Sequence, residues 1–443
     1  MTTRMRSIAV RALQRHYAAA VDRNQTIANV PLTQWPDRQL EALKVVWADA
    51  VADVPYYRHL VASGRAPATI TTWADVRAIP ELTREAFQRN PDAFVRRSGA
   101  PLTFLKTAGS TGTPIRVGIN QAERDLMRIV KVSAWQGFGY TPDSRLFLIW
   151  GHSHLLGTGW RGRVNHATRK LRDAVLGYHR VDAYRLSEAI CRDYADEILR
   201  IRPLGVIGYA AALDLFAKYT ADYRQRFHDS GIRFVLSTSE PPPRPDSVAR
   251  LEDLFGCPVV QEYGGAEFGQ VAFKIGSQPF AVYHDLNYLE AVAGDAEAAL
   301  VTALYPRYVP LIRYRVGDAL IAPSRLDNGH VWQFEGLAGR INDVLPFADG
   351  SAVHSVAVFH CIHQEPSVHT IQLVLEDSGI QVRLVAEPGS RASAEQRIRA
   401  RLAQVHPAFA TAVFHYDDDV QTTRAGKRRW FIDRRGRHGD GAA

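Results

Sequence analysis

Apolar residues recur at three- and four-residue spacings over residues 6–22 and 38–51, so both segments read as amphipathic helices. Thr33 and the Trp35-Pro36-Asp37 step supply a start signal for the second. From about residue 100 the texture changes to short, mainly apolar runs at 147–151, 204–209, 232–238 and 257–264, most of them closing near Gly, Ser or Thr. Helical periodicity fills the stretches 123–138, 186–201 and 211–227 between them. This strand–helix alternation predicts an α/β architecture with a largely parallel sheet. Such sheets bind ligands in the loops beyond their strand ends. Residues 280–335 turn strand-rich, with Pro and Gly punctuation. After Gly339 a hairpin is predicted over 369–388, turning at Asp377-Ser378-Gly379, then a helix over 393–405 and a strand over 411–418. The expected organisation is a large N-terminal domain, residues 1–338, with mostly parallel sheets and helices, and a small α+β C-terminal domain, residues 339–443.

Composition narrows the class. At 443 residues, 46% hydrophobic and 23% charged, the chain has the make-up of an ordinary globular protein, long enough for a sizeable core. No apolar run approaches a membrane span, and the N-terminus scatters its arginines among apolar residues instead of separating charged and apolar blocks. Cys191, Cys257 and Cys361 lie far apart with no CxxC pair, which argues against a disulfide framework or a thiolate zinc site. A soluble protein of the cytoplasm is expected.

The formal charge of +8 is unevenly placed. Residues 1–24 hold five Arg against one Asp, and residues 424–437 hold six Arg and one Lys against one Asp, so the rest of the chain is slightly acidic. No basic stripe with interleaved aromatics runs through the body, which excludes the usual footprint of a nucleic-acid binder. The first helix spreads its Arg residues around its face and reads as a plain surface helix.

The strongest local signal is Thr107-Ala108-Gly109-Ser110-Thr111-Gly112-Thr113-Pro114, a loop of backbone N–H and hydroxyl donors able to wrap a polyphosphate. No Gly-Lys-Ser/Thr follows, so it is not a Walker A loop. Four further stretches accompany it in order: Ser237-Thr238-Ser239-Glu240-Pro241; Glu262-Tyr263-Gly264-Gly265-Ala266-Glu267; residues 310–318 ending in Gly317-Asp318, with Gly339-Arg340-Ile341-Asn342-Asp343 beyond; and Thr423-Arg424-Ala425-Gly426-Lys427. Taken singly, each suits a turn, a core tyrosine, a solvated strand end or a solubilising tail. Together they supply an aromatic face for a purine, carboxylates for Mg²⁺ and ribose, and cations for phosphate.

This ordered set resembles the adenylate-forming superfamily of acyl-CoA synthetases and adenylation domains, and more closely its phenylacetate–CoA ligase-like branch, which includes capsular-polysaccharide-associated proteins. The resemblance spans roughly residues 100–430. It implies ATP and Mg²⁺ as cofactors and activation of a carboxylic acid, possible aromatic acids included, as an acyl-adenylate with release of pyrophosphate. By the same resemblance Thr107, Gly109, Ser110, Thr111, Gly112 and Thr113 grip the ATP phosphates, while Ser239, Glu240 and Pro241 line the adenine pocket. Tyr263, followed by Gly264, stacks on adenine; Glu267 holds Mg²⁺; Asp318 accepts the ribose hydroxyls; Arg340 lies near ribose and phosphate. Lys427 contacts the acid and the α-phosphate, and the small domain is mobile about a hinge at Asn342 or Asp343. The lysine has independent support: only seven of the 54 basic residues are Lys, and Lys427 is the only one after Lys274. Arg and Lys are not interchangeable at a crowded phosphate.

The acid pocket is less legible. His152 and His154 follow one strand, and Tyr209 follows another, at the pocket-facing end; Gly265 and His284 complete the candidates, and Trp150, Trp160 and Tyr209 suit an aromatic or flat acid or a core equally. Three sequence features depart from the family pattern. Ala266 stands where Thr or Ser is usual, Asn342, with Asp343 next, stands where the hinge residue is commonly Asp or Lys, and Val344-Leu345-Pro346-Phe347-Ala348-Asp349-Gly350 stands where many CoA ligases carry a glycine-containing segment. The acceptor is therefore open among CoA, another thiol and an amine, as is release of the adenylate. Alternatives to an ordinary carboxylic acid are an amino acid or a small inorganic oxyacid, and a non-catalytic nucleotide-binding relative is a third reading. The expected partners are small molecules, without nucleic acid or integral membrane contact.

Overall fold

A computed structural model describes residues 3–99, 101–106, 116–150, 159–183, 186–244, 246–292, 297–340, 344–347, 352–354, 361, 365, 367–417 and 431–435. Five helices come first: α1 (Thr3–Ala28), α2 (Trp35–Asp53), α3 (Pro55–Ala62), α4 (Trp73–Ala78) and α5 (Arg84–Arg89). The second starts at Trp35 with Pro36 in its first turn and no side-chain cap from Gln34, while Thr33 falls in a preceding 3-10 turn. A hairpin of β1 (Thr103–Lys106) and β2 (Arg116–Ile119) follows, its register bringing Lys106 opposite Arg116.

The α/β alternation comes next, as expected: α6 (Gln121–Gln136), β3 (Leu146–Ile149), α7 (Gly159–Val175), β4 (Tyr178–Val181), α8 (Glu188–Ile201), β5 (Gly205–Tyr209), α9 (Ala210–Tyr219), α10 (Arg224–His228), β6 (Phe234–Thr238), α11 (Ser247–Phe255) and β7 (Val259–Gly265). The periodic stretch 211–227 divides into α9 and α10 because the Thr220 hydroxyl donates to the Phe216 carbonyl at 2.8 Å and the chain turns there. Strand β4 escaped the sequence reading because it is half-buried throughout and offers no apolar run.

Strand-rich chain follows: β8 (Gly269–Ile275), β9 (Phe280–Val282), β10 (Asn287–Val292), β11 (Ala298–Ala303), β12 (Tyr314–Ile321), β13 (Ser324–Arg325), β14 (Val331–Phe334) and β15 (Gly336–Arg340). One nine-stranded sheet has the order β13-β14-β9-β8-β7-β6-β5-β3-β4. From β4 to β7 the pairings are parallel, and from β7 outwards they are antiparallel. The parallel half is covered on both faces: Phe147, Ile149, Val206, Val235 and Val259 pack with α8, α9 and α11, whereas Leu146, Leu148, Ile207, Phe234, Leu236 and Val260 face α1 and α6. A four-stranded antiparallel sheet, β10-β11-β12-β15, shares a second core with β7, β8, β9 and β14.

Beyond residue 343, β16 (Val344–Pro346) pairs with β17 (Ala352–His354). The predicted hairpin is present as β18 (Val368–Glu376) and β19 (Gly379–Ala386), followed by α12 (Arg391–Val405), β20 (Val413–Tyr416) and β21 (Phe431–Asp433). Their sheet, β20-β19-β18-β21, carries its own core of Ile371, Leu373, Leu384, Ile398, Leu402 and Phe409. All three cysteines are free, and no helix among the described residues is long and apolar enough to cross a membrane.

Candidate functional site

Parallel strands β5, β6 and β7 finish on one edge of the sheet, and their registers align Tyr209 with Thr238 and Ser237 with Gln261. Candidates scattered along the sequence therefore leave the sheet side by side. Ser239 adopts a left-handed backbone, φ 76°, a conformation that reverses the chain at once after β6 and is costly outside glycine. Glu240 Oε1 then accepts the Ala211 N–H at 3.0 Å. Helix α9 has no side-chain cap of its own from Tyr209, so a carboxylate from the neighbouring strand satisfies one of its first-turn N–H groups and meets its positive end. Tyr209 stacks on Trp150, with ring centroids 4.3 Å apart and planes at 23°, closing the ends of β5 and β3.

Strand β7 turns into β8 through Ala266–Phe268, with Gly265 opposite Gly269 and a register shift after Tyr263. Glycine is required at the shift: a Cβ on Gly264 would lie 2.4 Å from the Gly269 carbonyl oxygen. A Cβ on Gly265 would meet the Phe268 ring at 2.5 Å. The turn holds Glu267, which is buried, with Oε1 3.4 Å from Arg84 Nη1. Its carbonyl accepts from Arg307 Nη1 at 2.8 Å. Arg307 Nε in turn donates to Glu123 Oε1 at 3.0 Å, and Glu123 Oε2 accepts the Tyr308 and Asn120 N–H groups. A buried ion pair with every partner hydrogen-bonded thus fixes the peptide that carries Glu267.

Tyr263 donates its hydroxyl proton to Asp318 Oδ2 at 2.9 Å. Asp318 follows Gly317, whose φ of 87° breaks the regular run of β12, and it sits in register with Arg340 on β15. Arg313, five residues earlier on the chain, is buried and donates to both Glu290 carboxylate oxygens at 3.0 Å and to the Arg77 and Ile79 carbonyls. It fastens β12 to β10 and to the end of α4. Glu267 offers one carboxylate, and no group of three or more metal-ligating side chains gathers among the described residues. A single carboxylate fits a Mg²⁺ that arrives on a triphosphate and keeps phosphate and water oxygens; it does not fit an all-protein cage.

No family model matches the chain. Protein CapK of Staphylococcus aureus is 21% identical over 395 residues, 85% of this chain and 84% of CapK. The structure superposes on 2-hydroxyisobutyryl-CoA ligase, in the postadenylation state with 2-HIB-AMP, with a TM-score of 0.67 at 16% identity, over 91% of this chain and 90% of that one. Amide bond synthetase McbA from Marinactinospora thermotolerans superposes with a TM-score of 0.51 at 15% identity, over 82% of each chain. The chain has the adenylate-forming ligase fold.

Within that ligase fold, the structure brings Tyr209, Ser239, Glu240, Pro241, Tyr263, Gly264, Gly265 and Glu267 to one sheet edge and joins Asp318 to them through Tyr263. Arg340 is placed by the backbone of β15. The loop residues Thr107, Gly109, Ser110, Thr111, Gly112 and Thr113 lie outside the described residues, between the paired ends of β1 and β2; so do His152, His154, Asn342, Asp343 and Lys427.

His284 is placed elsewhere. It lines a cleft of about 270 Å³ with Arg23, Trp35, Arg38, Gln39 and Leu304, against α1 and α2. The Leu289 N–H donates to His330 Nδ1 at 3.1 Å, so neutral His330 carries its proton on Nε2 and donates it to His284 Nδ1, also 3.1 Å away. Burial pushes the His284 imidazole down to about 4, and burial with the neighbouring His284 pushes His330 down to about 3.

Sequence reasoning missed Arg84, Arg307, Glu123 and His330. Arg84 and Arg307 lie on segments with no motif of their own. Asn120 and Glu123 do carry a capping-box signature before α6, but nothing in that signature announces the distant arginine. Of the unusual segment after the hinge candidates, Val344–Pro346 forms β16, and Phe347 stacks on His406 with centroids 3.6 Å apart and leans edge-on against Phe409. Phe347 thereby packs on the C-terminal core.

Proposed function

We propose that the chain activates a carboxylic acid with ATP as an acyl-adenylate, releasing pyrophosphate, and passes the acyl group to a thiol or amine. The observation that carries this reading is the convergence of Glu240, Tyr263, Glu267 and Asp318 at one sheet edge, with the Tyr263–Asp318 hydrogen bond joining the strand that bears the purine-stacking candidate to the ribose-binding candidate.

In this reading the acid's carboxylate oxygen attacks the α-phosphorus, the bond from that phosphorus to the bridging oxygen breaks, and pyrophosphate leaves with the electron pair. Tyr263 offers its ring to adenine and Asp318 accepts the ribose hydroxyls. The loop at 107–113 holds the β- and γ-phosphates with N–H and hydroxyl donors, and Lys427 neutralises charge developing at the α-phosphate. Glu267 would hold Mg²⁺, which supplies further neutralisation on the phosphate oxygens. The thiol or amine then attacks the acyl carbon, loses its proton, and AMP departs. CoA is the thiol that the similarity to 2-hydroxyisobutyryl-CoA ligase favours, and the similarity to an amide bond synthetase favours an amine. The acid pocket lies beside the Trp150–Tyr209 stack, whose flat aromatic wall suits a planar or aromatic acid.

Acid-dependent ATP–pyrophosphate exchange across aromatic, aliphatic, hydroxy and amino acids tests the proposal. Exchange with at least one acid class is expected. No exchange with any acid, by protein that binds ATP, overturns it.

A further inference from the structure

Helix α7 carries an apolar stripe on its outer face. Trp160, Val164, Ala167, Leu171 and Ala174 are all exposed, the first to 66%. At about 100° per residue they fall within an arc of roughly 80°, along about 21 Å of helix. The opposite face is the one that holds the helix in place. There Asp173 is buried and accepts from Arg180 Nε and Nη2 of β4 at 2.9 and 3.1 Å, with Arg169 Nε 4.0 Å away.

The flanks of the stripe are cationic. Arg163 and Lys170 line one side and Arg172 the other, all exposed, and none forms an ion pair among the described residues. Asp173 is the only acid among the residues 159–175, against four Arg and one Lys, and it faces inward. Helix α1, whose segment of residues 1–24 holds five Arg against one Asp, packs against α7. The slightly acidic body of the chain therefore hides a second strongly basic helix beside the first.

We propose that this face docks on an anionic phospholipid bilayer, with α7 lying in the plane of the headgroups. The stripe would enter the interfacial layer, and the flanking Arg and Lys stems would run alongside it to reach lipid phosphates. Trp160 at one end suits the boundary between headgroups and acyl chains. Charge decides between a membrane and a second copy of this chain. A two-fold pairing of α7 helices would set Arg163, Lys170 and Arg172 against their own counterparts, with no outward acid on the helix to compensate.

The test uses the full chain with vesicles of phosphatidylcholine alone, or with about 30 mol% phosphatidylglycerol, at about 50 and about 500 mM NaCl. Flotation with the anionic vesicles at low salt is expected, with at least about tenfold weaker binding to neutral vesicles or at high salt. The double variant V164E/L171E and the triple variant R163E/K170E/R172E alter exposed positions only. Each is expected to keep the wild-type melting temperature and ATP–pyrophosphate exchange and to lose vesicle binding. Four outcomes overturn the proposal: no binding to anionic vesicles; equal binding to both vesicle types; full binding by either folded variant; or a concentration-dependent dimer that V164E/L171E dissociates. Equally tight, V164E/L171E-insensitive binding of soluble polyglutamate overturns it too, in favour of a purely ionic protein partner.

Discussion

The Tyr263 hydroxyl donates to Asp318 Oδ2 at 2.9 Å, across 55 residues of chain. This bond sets the distance between the end of β7 and the irregular point of β12. Removing it with Y263F is expected to lower kcat/KM for ATP about tenfold, the low end of the about 1.5–3 kcal/mol that a hydrogen bond to a charged group is worth, because the ring is kept. D318A is expected to cost about a hundredfold or more. Equal losses would mean that Asp318 serves only to hold Tyr263.

Arg84 stands 3.4 Å from the Glu267 carboxylate, and both side chains are nearly buried. R84M would leave that buried carboxylate with less compensation. It is expected to lower the exchange rate about tenfold or more, with R84K, which keeps the charge, recovering most of the loss. Equal losses in R84M and R84K would reject a charge role for Arg84.

The two glycines of the β7–β8 hairpin differ in what a methyl group would strike. G264A drives Cβ against the Gly269 backbone and is expected to destabilise the chain by about 2–3 kcal/mol, read by denaturant or thermal unfolding. G265A meets the Phe268 ring, a side chain that can turn, and is expected to cost less than about 1.5 kcal/mol. The reverse order would contradict the register at this hairpin.

His284 and His330 have folded pKa values of about 4 and about 3, below an unfolded value near 6.5. The unfolded chain therefore binds more protons between these limits, so stability is whole above pH ~6.5 and falls as the pH drops through that window. Each histidine contributes a slope of up to about 1.4 kcal/mol per pH unit. H284L is expected to reduce the slope between about pH 6 and 4.5 by close to one proton, measured by chemical denaturation in matched buffers.

K427A is expected to abolish acid-dependent exchange while leaving transfer from a synthetic acyl-adenylate largely intact. Parallel loss of both half-reactions would reject the proposed part of Lys427 in adenylation.

Much of this molecule is readable in its sequence. Helical periodicity located α1, α2, α6, α8 and α12, because each buries one face whose spacing local geometry dictates, and short apolar runs located β3, β5, β6 and β7, which helices cover on both sides, while the Asp377-Ser378-Gly379 turn located the hairpin of β18 and β19. Motif order also singled out Ser239, Glu240 and Glu267, which the structure places just beyond the ends of β6 and β7. The bond between Tyr263 and Asp318 was not foretold, nor was the Arg307–Glu123 pair beneath Glu267, since each joins segments with no shared local signal.

His284 marks the limit most clearly. Its sequence context, Tyr283-His284-Asp285, does not say which side of β9 it leaves from, and only packing against α2 and His330 set it in a separate cleft. The same holds for α7. Its composition is legible, but which of its faces meets β4 depends on the Asp173–Arg180 pair, and that choice leaves the apolar stripe outside. Local sequence determined the elements and the residue types that stand at their ends, because both depend on spacings of a few residues. Tertiary structure decided partners and exposure, because those depend on contacts between residues far apart in the chain, where pattern carries no information.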